Sequence, residues 1–122
     1  MKKFTKDHEW VSLDGNLATV GITAYAASEL GDITFVEVPA VDDDAVVGEV
    51  LTVVESVKAA TDVFAPINGT ITEVNEELED NPQLVNESSE DKGWICKVET
   101  DNSSALDSLM TETEYKTYIQ SL

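Results

Sequence analysis

The sequence predicts a single domain that is mainly β with small α elements, arranged as a sandwich or a barrel. Strand-like runs of five to seven residues recur along the chain, and turn residues separate them. The 122 residues, 42% of them hydrophobic, are enough for one globule with its own core. A C-terminal helical segment is expected over about 103–122.

The first half of the chain predicts a hairpin followed by a short helix. Glu9–Leu13 alternates apolar and polar residues, and Leu17–Ile22 resumes as a strand after a glycine-containing break of three residues. Thr23 can cap a helix over Ala24–Leu30. Asp32–Val38 alternates again and is predicted as the next strand.

The second half predicts two strands on either side of an isolated lysine. The strands are Glu49–Val54 and Val63–Ile67, and Lys58 lies between them at the tip. Further along, we expect a helical turn at Asn75–Leu78 and a last strand at Trp94–Val98. Between them, Pro82–Glu90 is predicted to be irregular and polar, with Leu84 and Val85 anchoring it to the core. Apolar residues at three- and four-residue spacings then predict an amphipathic helix pair, broken near Thr111.

The charge of the chain excludes several classes of partner. Its net charge is −18, with seven lysines and no arginine, so it lacks the cations that neutralise nucleic-acid phosphates or anionic membranes. No apolar run is long enough for a membrane span. No long apolar stretch follows the basic residues after Met1, so we expect that this segment is not a secretory signal. The single Cys96 excludes an internal disulfide and is predicted to be buried. These features favour a cytoplasmic protein.

Lys58 is the most informative position for function. No other lysine lies between Lys6 and Lys92, and the small residues Ser56, Ala59 and Ala60 surround it. An exposed lysine most often serves solubility, but one presented alone at a hairpin tip also suits covalent attachment of a prosthetic group. Such attachment converts the amine to an amide and removes its charge.

Independent catalysis is the alternative class, and the sequence disfavours it. The one histidine, His8, could act as a general base, but no nucleophile-elbow pattern accompanies it. One His and one Cys cannot form a zinc site, and the glycines are dispersed rather than grouped in a phosphate-binding loop. We therefore expect that the chain is not an enzyme.

The residues around Lys58 closely resemble the lipoyl-attachment region of glycine cleavage system H proteins. The resemblance covers nearly the whole chain and rests on several motifs together: His8-Glu9-Trp10, Val20-Gly21-Ile22-Thr23, Phe35-Val36-Glu37-Val38-Pro39, Val54-Glu55-Ser56-Val57-Lys58-Ala59-Ala60, Ala65-Pro66-Ile67-Asn68-Gly69, Leu84-Val85-Asn86 and Gly93-Trp94. It implies a barrel-sandwich hybrid with a hammerhead lipoyl-domain-like core, at about 17–99 of a single domain spanning 1–122.

The resemblance also implies a role for Lys58 and a set of partners. Lys58 would carry lipoate covalently, and Glu55 would be recognised by lipoate-attaching enzymes. The arm would receive an aminomethyl group from the pyridoxal-phosphate glycine decarboxylase and deliver it to the tetrahydrofolate-dependent aminomethyltransferase. Dihydrolipoyl dehydrogenase would then reoxidise it. An alternative within the same class is an H-like carrier that relays lipoyl groups to other complexes or serves redox signalling.

The resemblance implies a cleft into which the loaded arm folds, and two acidic residues of this chain, Glu9 and Asp62, match acidic positions near it. Glu9 and Asp62 would be able to pair there with a protonated amine. Glu29 stands where some relatives have histidine, so its role in holding the arm is open. A carrier that visits several enzymes is expected to be monomeric.

Overall fold

The strands of the domain form two antiparallel sheets. The structure is a computed structural model and describes residues 2–101 and 103–122. In these residues nine strands are found: β1 (Lys2–Phe4), β2 (Glu9–Asp14), β3 (Leu17–Ile22), β4 (Ile33–Val36), β5 (Asp44–Ala45), β6 (Val50–Ser56), β7 (Ala60–Phe64), β8 (Gly69–Val74) and β9 (Cys96–Glu99). Their order is β1-β2-β3-β9-β8-β5 in one sheet and β4-β6-β7 in the other.

Short helices lie between and after the strands. They are α1 (Ala24–Leu30), α2 (Glu77–Asp80), α3 (Leu84–Ser88) and α4 (Glu112–Gln120), with a 3₁₀ segment over Ser103–Ser108. The prediction of a mainly β fold with small helices and a C-terminal helix is therefore confirmed. None of the helices in the described ranges has the length and hydropathy needed to cross a bilayer.

The predicted hairpin and first helix are confirmed. Strand β2 pairs with β3 in one continuous register, from Glu9 opposite Ile22 to Asp14 opposite Leu17. Thr23 caps α1 by accepting a hydrogen bond from the Ala26 N–H at 3.2 Å. A side-chain acceptor at this position satisfies a backbone donor that the first helical turn leaves free, which is why the helix begins here.

Two predicted segments were wrong. The stretch Pro82–Glu90 is not wholly irregular, because Leu84–Ser88 forms α3 and buries Leu84 and Val85 against the core. The strand after Lys58 is Ala60–Phe64, closer to the tip than the predicted Val63–Ile67. Its pairing with β6 begins next to the turn, since Ala60 lies opposite Glu55. Tertiary packing and cross-strand pairing decide both segments, whereas local polarity decides neither.

The main core lies between the sheets and is apolar. Buried side chains from both sheets contribute, among them Val11, Val20, Val54 and Ile71. Cys96 is a free thiol within this core, and burial raises its pKa to about 12. The thiol therefore stays protonated and acts as a small apolar group, as predicted.

A second, aromatic cluster closes the domain by joining the two ends of the described chain. The backbones of Phe4 and Met110 exchange two hydrogen bonds of 2.9 Å each. The ring of Tyr115, on α4, stacks on Phe4 with 4.9 Å between the centroids. The Tyr115 hydroxyl lies 2.8 Å from His8 Nδ1 and 2.7 Å from Thr23 Oγ1. One hydroxyl thus connects α4 to the residue that precedes β2 and to the cap of α1.

Replacing Tyr115 with Phe tests this connection. The ring stacking remains, but the hydrogen bonds to His8 and Thr23 are lost, so the free energy of unfolding should fall by about 1–2 kcal/mol. Urea unfolding measures the change. Tyr118→Phe is the matched control, because the Tyr118 hydroxyl makes one long contact of 3.4 Å with the Lys6 carbonyl. Equal effects of the two substitutions would contradict the connecting role of Tyr115.

Candidate functional site

Lys58 lies in the turn that joins β6 to β7, and the side chain of Ser56 shapes this turn. The Ser56 N–H donates to the Ala59 carbonyl at 2.8 Å, which closes the turn. The Ser56 hydroxyl oxygen lies 3.2 Å from the Lys58 N–H and 3.3 Å from the Ala59 N–H. Serine hydroxyls commonly satisfy turn amides in this way. The backbone that carries Lys58 is therefore fixed locally.

Contacts with the neighbouring strand hold the turn from its other side. The Val57 N–H donates to the Asp32 carbonyl at 3.1 Å, just before β4 begins. The adjoining residues of the two strands, Ile33 and Ser56, are register partners. The turn is thus continuous with the three-stranded sheet, and hydrogen bonds to the neighbouring strand fix the backbone next to Lys58.

The Lys58 side chain is exposed and lies across the C-terminal end of α1. Its Nζ is 3.4 Å from the backbone carbonyl of Glu29, and its Cε passes near Gly31. Carbonyl groups at the end of a helix carry partial negative charge, which favours a cation. Gly31 has a φ of 77°, in the left-handed region that glycine adopts without strain, and it ends the helix at this point. The amine therefore has a weak, solvent-accessible resting position.

Asn86 holds the segment that joins the end of α1 to β4, and it is a residue for which the sequence predicted no individual role. Its Nδ2 donates to the Gly31 carbonyl at 2.8 Å, and its Oδ1 accepts from the Ile33 N–H at 2.9 Å. One side chain on α3 thus fixes the connection between α1 and β4. The signal in the sequence is the motif Leu84-Val85-Asn86, in which an amide directly follows two apolar residues. Such a side chain can satisfy one backbone donor and one acceptor together.

Three of the four predicted acidic site residues are exposed. Glu55 is the register partner of Phe35 on β4, and Asp62 is the partner of Val53 on β6. Glu29 contributes its backbone carbonyl to the Lys58 amine. The structure therefore brings Glu29 together with Lys58 and places Glu55 and Asp62 on the same hairpin.

Glu9, the fourth acidic residue, is buried and already hydrogen-bonded. It is only 2% exposed; Oε1 accepts from the Thr5 hydroxyl and Oε2 from the Phe64 N–H, both at 2.9 Å. Because Phe64 ends β7 at the edge of the smaller sheet, the carboxylate joins the two sheets. Burial raises the pKa of Glu9 to about 7, although the two hydrogen bonds oppose this rise. Glu9 does not stand on an open cleft wall, and its pairing with an arm stays a prediction.

His8, next to Glu9, faces aromatic and acidic neighbours. Its ring lies 4.8 Å from the Tyr25 ring and shares a hydrogen bond with Tyr115. Burial lowers the pKa of His8, while the nearby charges of Asp7 and Glu29 oppose that change. The arrangement is that of a neutral, packed imidazole, which fits a structural role.

The raised pKa of Glu9 predicts a specific pH dependence of stability. Between about pH 4.5 and 7 the unfolded carboxyl is ionised while the folded one keeps its proton. The free energy of unfolding should therefore fall as pH rises through this window, by up to about 3 kcal/mol from this group. Glu9→Gln stays neutral and keeps an acceptor for the Phe64 N–H. Its free energy of unfolding should therefore lack the decrease with pH that Glu9 causes in the wild type.

Urea unfolding of both proteins between about pH 5 and about pH 8 measures the difference. Glu49→Gln is the control, because it removes one carboxylate that is exposed, and it should keep the wild-type profile. If Glu9→Gln loses as much stability with rising pH as the wild type, the pKa of Glu9 is not raised in the folded protein.

Comparisons with known proteins agree on one family. The family described as Glycine cleavage H-protein matches residues 2–122. The chain is 50% identical over 117 residues to the "Glycine cleavage system H protein" of Staphylococcus haemolyticus, covering 96% of this chain and 93% of that protein. The protein of the same name from Staphylococcus epidermidis has the same identity and coverage.

A solved structure agrees in fold as well. The crystal structure of a glycine cleavage system H protein from Mycobacterium marinum superposes with a TM-score of 0.89 at 34% identity. The match covers 98% of this chain and 96% of the solved one. The match therefore extends beyond the tip hairpin to both sheets and the C-terminal helix. This chain belongs to the glycine cleavage H-protein family.

Proposed function

We propose that the chain is the lipoyl carrier of a glycine cleavage system, with lipoate in amide linkage to Lys58. The observation that carries this proposal is an exposed amine on a hydrogen-bonded hairpin tip, in a member of the H-protein family. An acylating enzyme needs access to the amine, and a carrier needs a support that presents it in one orientation. The tip has both properties.

The residues around Lys58 fit an attached group. In the described part of the chain the salt bridges are Lys97–Glu73 and Lys116–Glu112, so no carboxylate holds the Lys58 ammonium in an ion pair. Its contact with the Glu29 carbonyl is long and solvent-exposed, and such contacts contribute little. Acylation removes the positive charge, so the attraction to the helix end is lost and the side chain is free to leave.

These contacts separate the role of the attached group from the roles of the chain's own residues. Lys58 would hold the lipoyl group, which would supply redox-active sulfur chemistry for carrying an aminomethyl unit. The chain's own residues present and shield the arm: Ser56 fixes the turn, and the exposed carboxylates Glu29 and Asp62 can pair with an amine near the tip. Glu9 would have to give up its bond to Thr5 or Phe64 to join them.

The partners we propose are those that such an arm requires. They are glycine decarboxylase, aminomethyltransferase, dihydrolipoyl dehydrogenase and the lipoate-attaching enzymes, of which the last would recognise Glu55. The chain itself would be a non-catalytic carrier and a monomer. The buried free thiol of Cys96 suits a reducing compartment, which supports a cytoplasmic location.

Acylation of Lys58 can be tested directly. After incubation with a lipoate-attaching ligase, lipoate and ATP, the wild type should gain one lipoyl group, and peptide mapping should locate it on Lys58. Lys58→Arg should gain none, because the guanidinium does not form the amide, whereas the exposed control Lys92→Arg should behave as the wild type. Wild-type glycine turnover by Lys58→Arg in a reconstituted system would refute the proposal.

The net charge of −18 predicts salt-dependent encounter with the decarboxylase. Opposite charge on a partner accelerates association, and ions screen that attraction. The kcat/KM for the carrier should fall by about tenfold between low and physiological ionic strength, with little change in kcat. Sucrose at matched viscosity is the control for diffusion. A flat salt profile would contradict electrostatic steering.

A further inference from the structure

We propose that Phe35, Glu55 and Val57 form a docking surface, called here the tip patch, for the enzyme that acylates Lys58. In this complex Phe35 enters an apolar pocket of the enzyme, and basic residues around that pocket face Glu55. The inference rests on the proposed function and adds to it a partner surface and an anchor residue.

The first observation is that a bulge turns Phe35 outward. In a regular strand Ile33 and Phe35 would share one face, because side chains alternate with a period of two. The pairing of β4 with β6 shifts register between these two residues, so Ile33 and Val36 are buried while Phe35 is 46% exposed. Bulges are one way in which a strand re-aims a side chain. A large aromatic ring is thus exposed beside the tip.

The second observation is that a further apolar side chain continues this surface toward Lys58. Val57 immediately precedes the lysine and is 68% exposed, and its N–H bonds to Asp32 at the start of β4. Glu55, two residues earlier, lies opposite Phe35. Backbone hydrogen bonds of the sheet therefore hold the residues that carry two apolar groups and one carboxylate beside the turn of Lys58. A rigid apolar anchor loses little conformational entropy on binding.

The position of the tip patch selects the partner. An enzyme that forms the amide must bring its active site within one side chain's length of the Lys58 backbone, so it necessarily covers the adjoining surface. Enzymes that act on the far end of an attached arm do not need to approach the tip so closely. The acylating enzyme is therefore the partner that this patch fits.

The charges around the patch define the chemistry of that partner. Glu55, Glu37 and Asp62 are all exposed on the three-stranded sheet or directly after it, and the chain as a whole is strongly acidic. A pocket rimmed by Lys or Arg complements this arrangement, and opposite charge adds to orientation and to the rate of encounter. An uncharged apolar pocket would leave the carboxylates desolvated without partners.

The test is steady-state acylation of the full chain by a lipoate-attaching ligase, followed by intact mass. Phe35→Ser should raise KM for the carrier by about tenfold, the size of effect typical of a buried anchor, with kcat nearly unchanged. Phe35→Leu should restore most of the affinity. Val50→Ser is the matched control, since Val50 is 52% exposed at the opposite end of β6, and it should have the wild-type KM. Glu55→Gln should raise KM more at low salt than at high salt.

The outcomes separate this proposal from the proposed function. Acylation of the wild type on Lys58, with equal KM values for Phe35→Ser and Val50→Ser, would overturn the tip patch and leave the carrier function intact. A raised KM only in the later exchange with glycine decarboxylase would also overturn it, because the patch would then belong to another partner. Failure of the wild type to be acylated on Lys58 would remove both. Far-ultraviolet circular dichroism and thermal unfolding confirm that the variants are folded.

Discussion

The turn at Ser56–Ala59 can hold Lys58 in one place because hydrogen bonds fix its backbone from two independent directions. Within the turn, the Ser56 hydroxyl and amide satisfy groups of Lys58 and Ala59. Across the sheet, the Val57 amide is bound to Asp32. A tight turn tied to one strand alone could twist about that strand. Because this one is also tied to the start of β4, the position of the amine is determined by the sheet and not only by the turn.

Two polar side chains outside the turn hold the elements that surround it. Asn86 fixes the connection from α1 to β4, which places the end of α1 beneath the Lys58 amine. Glu9 binds the last amide of β7 and so ties the hairpin to the larger sheet. Each support is one polar side chain, the exposed Asn86 or the buried Glu9, that satisfies backbone groups of a neighbouring element. Such backbone groups are costly to leave unpaired where they are buried. Rigidity at the tip thus depends on polar contacts at some distance from it.

Local patterns in the sequence were sufficient for much of this fold. The hairpin from Glu9 to Ile22, the cap at Thr23, the break near Thr111 and the tip position of Lys58 each follow from alternation, turn residues or spacing. The missed features depend on contacts between distant residues. The bulge that exposes Phe35 breaks the alternation that predicts a strand, and nothing local marks it. The anchoring of Leu84 and Val85 in the core was predicted, but the helical conformation of α3 was not. The carboxylate of Glu9 is bound by Phe64, far along the chain.

The closure between Phe4 and Met110 has a consequence for how the protein is made. As the chain leaves the ribosome, β1 and the aromatic surface of Phe4 and Trp10 emerge early, but their partners near Met110 and Tyr115 emerge only late in synthesis. The three strands that carry Lys58 come from a compact stretch of sequence and can pair long before then. In nascent chains the apolar side chains of Phe4 and Trp10 should therefore stay uncovered until synthesis is nearly complete, while the lysine hairpin is already formed.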